Sequence, residues 1–336
     1  MTTRRHFLQT TAMATASTGL LAGSLPAFAA PQAASQAPAW PSQTLRIVVP
    51  FAPGGTSDVI ARLISKPLGD ALSATVVIEN RTGAAGNVGA AAVANATDGH
   101  TMLLSDLGSM AISPLISKDL PFKAEQLVGV TMLAYSPHLL AVHPSVPANT
   151  VQELVAWSQK NKINAASSGS GTPNHLGIVD IALTTGMKWQ HVPYRGGAQA
   201  INDTIAGTTQ LLLNGMVATY PLVQAGKLKL IGVSKRTRMA IIGNVPTLAE
   251  QGVTHFESGT YQGVMVSSSM AKPNVEALSA ALIKVIRIPE IRARLVELGA
   301  EVQTSSPADT TQWVMTDRKR WASVIERAGK SIEGSL

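Results

Sequence analysis

The residues best suited to chemistry in this 336-residue chain lie in two runs of small and hydroxylated residues. The first is Pro50-Phe51-Ala52-Pro53-Gly54-Gly55-Thr56-Ser57-Asp58. Ahead of it, residues 45–49 form a short β-branched apolar run bounded by Pro50, which reads as a buried parallel strand. Behind it, Thr56 or Ser57 is the expected cap of a helix with Val59, Ile60, Leu63, Ile64 and Leu68 on an apolar stripe and Asp58 in its first turn. Strand, glycine loop and helix start in that order aim unpaired backbone N–H groups and the positive end of a helix dipole at one point, where a carboxylate or phosphate is held. No lysine or arginine lies between Pro50 and Val59. An anion bound there is held mainly by backbone, with the Thr56 and Ser57 hydroxyls in reach. The same residue types also suit an ordinary βα turn. The second run is Ser167-Ser168-Gly169-Ser170-Gly171-Thr172, after a short strand at 164–166, with Thr172 as expected cap, Pro173 at the first helical position and His175 in the first turn.

The elements that must position these runs alternate. Strands are expected at 75–79, 101–105, 128–134, 139–142, 188–192, 210–213, 228–233 and 261–266, with helices between them, and a capping box opens a helix at Thr150 to Glu153. Pro67 is expected to kink or end the first helix early. Helices at 273–287, 289–298 and 307–328 close the chain, with Gly299 as a C-terminal cap. This rhythm implies parallel sheets that bind ligands beyond the carboxyl ends of their strands, and two cradles point to two lobes facing a cleft.

A chain with 45% hydrophobic and 14% charged residues can bury a sizeable core, and 4% aromatics argue against base-stacking platforms. The basic runs at 227–238 and 318–320 read as solvated surface, so no nucleic-acid partner is expected. The absence of cysteine excludes disulfides, Cys-ligated zinc and thiol nucleophiles. His100, His138, His143, His191 and His255 lack metal-ligand spacing, and neither a metal nor a cofactor is expected. At the N-terminus, Thr3-Arg4-Arg5-His6-Phe7-Leu8, a weakly apolar stretch and Ala27-Phe28-Ala29 match a twin-arginine signal peptide (1–29) cleaved near Ala29, followed by a flexible tail (30–41). With the leader removed, 27 basic residues less Arg4 and Arg5, against 20 acidic ones, leave +5.

Several motifs in unbroken order resemble one family: RIVVPFAPGGTSDVIAR, VVIENRTGAAGNVGAAAVA, DGHTML, SSGSGTPNHL, VPYRGGAQAINDTIAG, AGKLKLIGV and VPTLAEQG. They look like the Bug family, the periplasmic solute receptors of tripartite tricarboxylate transporters. The resemblance implies an α/β, type II periplasmic-binding-protein fold whose chain crosses between lobes near Tyr135 and near 257–261. Lobe 1 is then 42–135 plus 260–336, and lobe 2 is 136–259. It also implies a monomer that binds a small carboxylate and serves the membrane components of such a transporter. The implied ligands are di- or tricarboxylates, acidic amino acids or aromatic acids. Carried over, the ligand-binding residues are Phe51, Gly54, Gly55, Thr56 and Asp58 in one loop, Ser168, Gly169, Ser170, Gly171, Thr172 and His175 in the other, and Asp203 on a helix facing the cleft. The chain departs from the family pattern at Asn214, at Ile112-Ser113 and at residues 267–270, which bears on ligand identity.

An enzyme using the glycine loops as an oxyanion hole is the rival class, and the ligand-binding subunit of a sensor is a third. The chain has no G-x-S-x-G, HExxH, Walker loop or catalytic carboxylate pair, so no nucleophile and base accompany the loops.

Overall fold

The computed structural model describes residues 40–117, 119–254 and 256–329; the signal peptide and most of the tail read from the sequence lie outside them. The first part of the fold is β1 (Leu45–Val49), α1 (Thr56–Leu72), β2 (Val76–Asn80), α2 (Asn87–Ala94), β3 (Thr101–Asp106) and α3 (Leu107–Ile116). β4 (Leu127–Val142) leads to α4 (Val151–Ser158), β5 (Asn164–Ser167), α5 (Pro173–Thr185), β6 (Gln190–Pro193), α6 (Gly197–Ile205), β7 (Leu211–Gly215), α7 (Met216–Gln224) and β8 (Lys229–Val233). The chain returns through β9 (Gly259–Ser267) to α8 (Lys272–Ile286), α9 (Pro289–Glu297), β10 (Glu301–Val302) and α10 (Pro307–Ala328).

The strands order as β2-β1-β3-β9-β4-β7-β5-β6, with β8 and β10 also on β4. β2, β1 and β3 are parallel, as are β7, β5 and β6, but β9 and β4 run antiparallel to their neighbours. The all-parallel expectation is corrected there: β4 and β9 are long strands shared by the two halves rather than members of βαβ units. β4 joins the expected strands at 128–134 and 139–142 into one. Its pairing with β9 runs from Leu127 to Pro137, opposite Gly259, and its pairing with β7 starts at the next residue, His138, opposite Gly215. Pro137 cannot donate to a ladder, and it stands where β4 changes partners.

Strand alternation sends side chains into two layers. Leu45, Ile47 and Val49 of β1 pack with Ile60, Ile64 and Leu68 of α1 and with Leu278 and Leu282 of α8. Val48 faces the opposite layer with Val93, Ile112 and Trp321 from α2, α3 and α10. In the other half, Leu140, Val142, Ala165 and Leu211 pack under α4 and α5, and Ala166 and Leu212 under α6. α1 continues through Pro67 to Leu72, contrary to the early end expected of it. Fully buried Ile60, Ile64 and Leu68 anchor it on both sides of the proline and outweigh the one hydrogen bond that Pro67 cannot donate.

Candidate functional site

The turn between β1 and α1 is shaped from beneath by Asp58. Its Oδ2 accepts from the Gly54 N–H (2.9 Å) and Arg62 Nε (2.8 Å), and its Oδ1 accepts from Arg62 Nη2 (3.1 Å) and Asn80 Nδ2 (3.0 Å). Asn80 also donates to the Phe51 carbonyl at 3.0 Å. Burial alone would raise the Asp58 pKa, but these bonds outweigh it and hold the carboxyl below its usual range. With both oxygens occupied, Asp58 is a brace for the loop. α1 is capped by Gly55, not by Thr56 or Ser57, and Gly55 makes no side-chain cap bond. The first-turn N–H groups are therefore left without a side-chain acceptor.

The start of α6 faces this turn. Its cap is Gly196, also without a side-chain bond, at φ +139°, and a Cβ there would stand 3.0 Å from the Ala52 nitrogen. The Ala52 N–H donates to the Arg195 carbonyl across the cleft at 3.2 Å. Two uncapped helix N-termini, from the two halves of the sheet, thus open on one space.

That space is lined by Phe51, Gly55, Thr56 and Ser57 from the first turn, Asp106 and Ser109 from the β3–α3 junction, and Thr260 and Gln262 from β9. Ser168, Asn174, Gly197 and Asn214 close it from the other half. It encloses about 30 Å³, room for a water or two. No lysine or arginine is among its lining residues. Asp106 caps α3, and its Oδ1 accepts from the N–H groups of Gly108 (3.1 Å) and Tyr261 (3.0 Å). Burial pushes its carboxyl up to about 7.

Of the residues anticipated from the sequence, Phe51, Gly55, Thr56 and Ser168 line this cavity, and Gly54 and Asp58 support it. Gly169, Ser170, Gly171, Thr172, His175 and Asp203 are not among its lining residues. Thr172 is the cap residue of α5, with Pro173 following it as expected, but its hydroxyl makes no cap bond; it donates to the Gly169 carbonyl (2.7 Å) and sits 2.5 Å from Asn174 Oδ1. His175 is fully buried, accepts from the Gly171 N–H on Nδ1 at 3.0 Å and stacks on His191 at 3.9 Å. Burial, with the neighbouring His191, takes its pKa down to about 3, the neutral form that this acceptor role needs. Asp203 accepts from the Tyr194 hydroxyl at 2.6 Å. Ser57, Asn174 and Gly197 lie beside residues singled out in the sequence, and Asp106 ends a parallel strand, where ligands are expected. Thr260 and Gln262 sit on an antiparallel strand that carries no such signal. Among the described residues no group of three or more His, Asp or Glu side chains converges on a metal position.

Residues 60–330 match the model of the tripartite tricarboxylate transporter family receptor, TctC. The chain belongs to this family. It is 28% identical to protein BugT of Bordetella pertussis over 88% of this chain and 92% of that protein. Among solved structures it is similar to R. palustris Rpa4515 with adipate, at 30% identity and TM-score 0.83 over 86% of this chain and 98% of that one. It is likewise similar to MatC from Rhodopseudomonas palustris with bound malate, at 28% identity and TM-score 0.81 over 85% of this chain and all of that one. This TctC-family protein is therefore a periplasmic solute-binding receptor of two-lobe α/β fold, and its relatives are binding proteins, not enzymes.

Proposed function

We propose that this receptor captures a small carboxylate between the N-termini of α1 and α6 and delivers it, as a monomer, to the membrane components of a tripartite tricarboxylate-type transporter. The observation that carries this reading is the pair of glycine-capped helix starts facing one cavity lined by no basic side chain, in a fold shared with proteins solved with adipate and malate. Gly55, Thr56, Ser168 and Gly197 hold the anion, and Phe51 forms a wall. Gly54, Asp58, Gly169, Ser170, Gly171, Thr172 and His175 set the loop paths, while Asp203 braces Tyr194. Charge-assisted hydrogen bonds contribute about 1.5–3 kcal/mol each. Four or so, less several kcal/mol for association, reach the roughly 8 kcal/mol of a micromolar complex. The lobes in this reading are 42–135 with 260–336, and 136–259, a division supported by the partner change of β4 at Pro137 and His138. Export uses the twin-arginine leader with cleavage near Ala29.

Thermal-shift screening with mono-, di- and tricarboxylates and amino acids, with sugars as controls, tests the ligand class. Carboxylates should raise Tm with the logarithm of their concentration. Stabilisation by sugars and by no carboxylate would overturn the reading. For export, replacing Arg4 and Arg5 by Lys should leave precursor in the cytoplasm, and exported protein still beginning at Met1 would exclude cleavage.

A further inference from the structure

The cavity has two walls of opposite polarity. One is the donor wall built from the starts of α1 and α6. The other is built from β3, α3 and β9 and presents oxygens. Asp106 and Gln262 are cross-strand partners in the β3–β9 pair, and Ser109 lies in the first turn of α3. Among the described residues both hydrogen bonds to the Asp106 side chain fall on Oδ1, so Oδ2 is not taken up by either of them, and Asp106 is one of the cavity's lining residues. Ser109 Oγ and Gln262 Oε1 also belong to lining residues, only 2% and 1% exposed, and neither atom has a hydrogen-bond partner among the described residues. A buried polar atom without a partner is costly; Gln262 Oε1 can only accept and so marks a position that a ligand donor completes, beside the Ser109 hydroxyl, which can accept there too.

We infer that Asp106, Ser109 and Gln262 form a subsite for a ligand ammonium group, so that the preferred ligand is a zwitterionic aminocarboxylate rather than a dicarboxylate. The inference rests on the carboxylate-receptor reading above and specifies the other end of the ligand. An ammonium brings three donors to three oxygens. A second carboxylate would instead lie against Asp106 with no lysine or arginine in the lining to offset the repulsion. The charged groups facing Asp106 are Asp317 and Arg320 on α10, with Tyr261 on β9. Arg320 is already committed to Asp317 at 2.7 Å, and Asp317 takes a second bond from Trp321 Nε1 at 2.9 Å. α5 presents Pro173 to Gly108 and brings no charge there. Burial of Asp106 holds its carboxyl near 7, so the ionised form that attracts an ammonium is lost as pH falls below neutrality.

The test is calorimetry with L-alanine, β-alanine and 4-aminobutyrate, which vary the spacing of the two ends, against succinate and adipate, on the wild-type receptor and on Asp106→Asn. Asparagine keeps an oxygen for the Gly108 and Tyr261 N–H groups and removes the charge. At pH 8 at least one aminocarboxylate should bind the wild type more tightly than either dicarboxylate, and Asp106→Asn should weaken it about 10- to 100-fold while strengthening the dicarboxylates. Between pH 8 and pH 6 the wild-type affinity for the aminocarboxylate should fall about tenfold, and in Asp106→Asn this dependence should vanish. Should that variant fail to fold, Ser109→Ala and Gln262→Met carry the same comparison, each expected to weaken the aminocarboxylate and spare the dicarboxylates. Dicarboxylates that bind the wild type more tightly than every aminocarboxylate, with affinities unmoved by Asp106→Asn, would overturn the subsite and leave the carboxylate receptor standing. Failure of both series to bind would overturn the receptor reading and the subsite together.

Discussion

At the scale of residues, the proposed capture separates backbone offered to the ligand from side chains that hold that backbone in place. Gly55 has φ −78°, within the range of proline, and its place as an uncapped helix cap makes its N–H a candidate ligand contact. Gly55→Pro should therefore fold with a Tm near wild type yet bind carboxylates about tenfold or more weakly, which calorimetry reads directly. Thr172→Ala should do the reverse, costing about 1 kcal/mol of stability in urea titration by removing one donor to the buried Gly169 carbonyl, which keeps the Thr172 N–H and the Ser167 hydroxyl. Above pH 5, three buried groups set the acid response. Burial, aided by Arg320 and His191 respectively, takes His138 and His175 from 6.5 down to about 3. The unfolded chain then binds those protons first, and stability is lost as pH falls below 6.5. Asp106 works in the opposite direction: raised from 3.8 to about 7, it takes up its proton in the folded state, and stability is gained as pH falls through 7 toward 3.8. Between pH 6 and 5, above the range in which Asp58 and Asp98 titrate in the unfolded chain, the net is about one proton, a loss of about 1.4 kcal/mol per pH unit. In Asp106→Asn the slope should steepen to about 2.7; an unchanged slope in pH-dependent urea titrations would show that Asp106 does not titrate in this window.

Elements decide where those residues meet. α1 is held onto the sheet by its Ile60, Ile64 and Leu68 stripe, and its first turn is thereby fixed at the mouth of β1. Pro67 is tolerated because that burial exceeds the cost of one missing hydrogen bond. Pro67→Ala should stabilise the protein by about 1–2 kcal/mol, the interior-proline penalty of roughly 3 kcal/mol less the unfolded-state entropy and relaxation already present. Urea titration would detect the gain. β4 and β9 bring the acceptor wall to the cavity: β9 places Gln262 opposite Asp106 of β3 and Thr260 opposite Ser136 of β4, where the change of partners begins.

At the scale of the molecule, a cavity of about 30 Å³ must widen for any carboxylate to enter. Among the contacts that would part are the Ala52 to Arg195 hydrogen bond, with Gly54 beside Ala198, and the approach of Gly169 to Ala85; the segments that would bend are those around Pro137 and Gly259. A Cβ on Gly54 stands 3.5 Å from Ala198 Cβ, within reach of a disulfide, at the cost of placing a side chain at a φ of +86°. The chain has no other cysteine to compete. Oxidising Gly54→Cys/Ala198→Cys should lock the cleft and block ligand exchange, and reduction should restore it. Ligand exchange at an unchanged rate in the oxidised form would show that the cleft need not open there.

Much of this was legible in the chain itself. Residues 50–58 announce a strand, a glycine loop and a helix start because those steps depend on local stereochemistry: proline ends the strand, glycine allows the turn, and an apolar stripe buries the helix. The ordered motifs identified the family for the same reason, since each is a local solution repeated in sequence. What the chain could not announce depends on residues far apart in sequence being brought together. Asp106 and Gln262 become neighbours only when β9 returns to pair with β3, and Gly197 reaches the cavity only because α6 faces α1 across it. His175 and Thr172, next to the second loop in sequence, turn inward to hold that loop, because burial leaves the Gly169 carbonyl and the Gly171 N–H with no water to satisfy them. Local chemistry specified the uncapped helix start at α1; the polarity of the wall opposite it was decided by tertiary pairing, which alone sets which buried oxygens lack a donor.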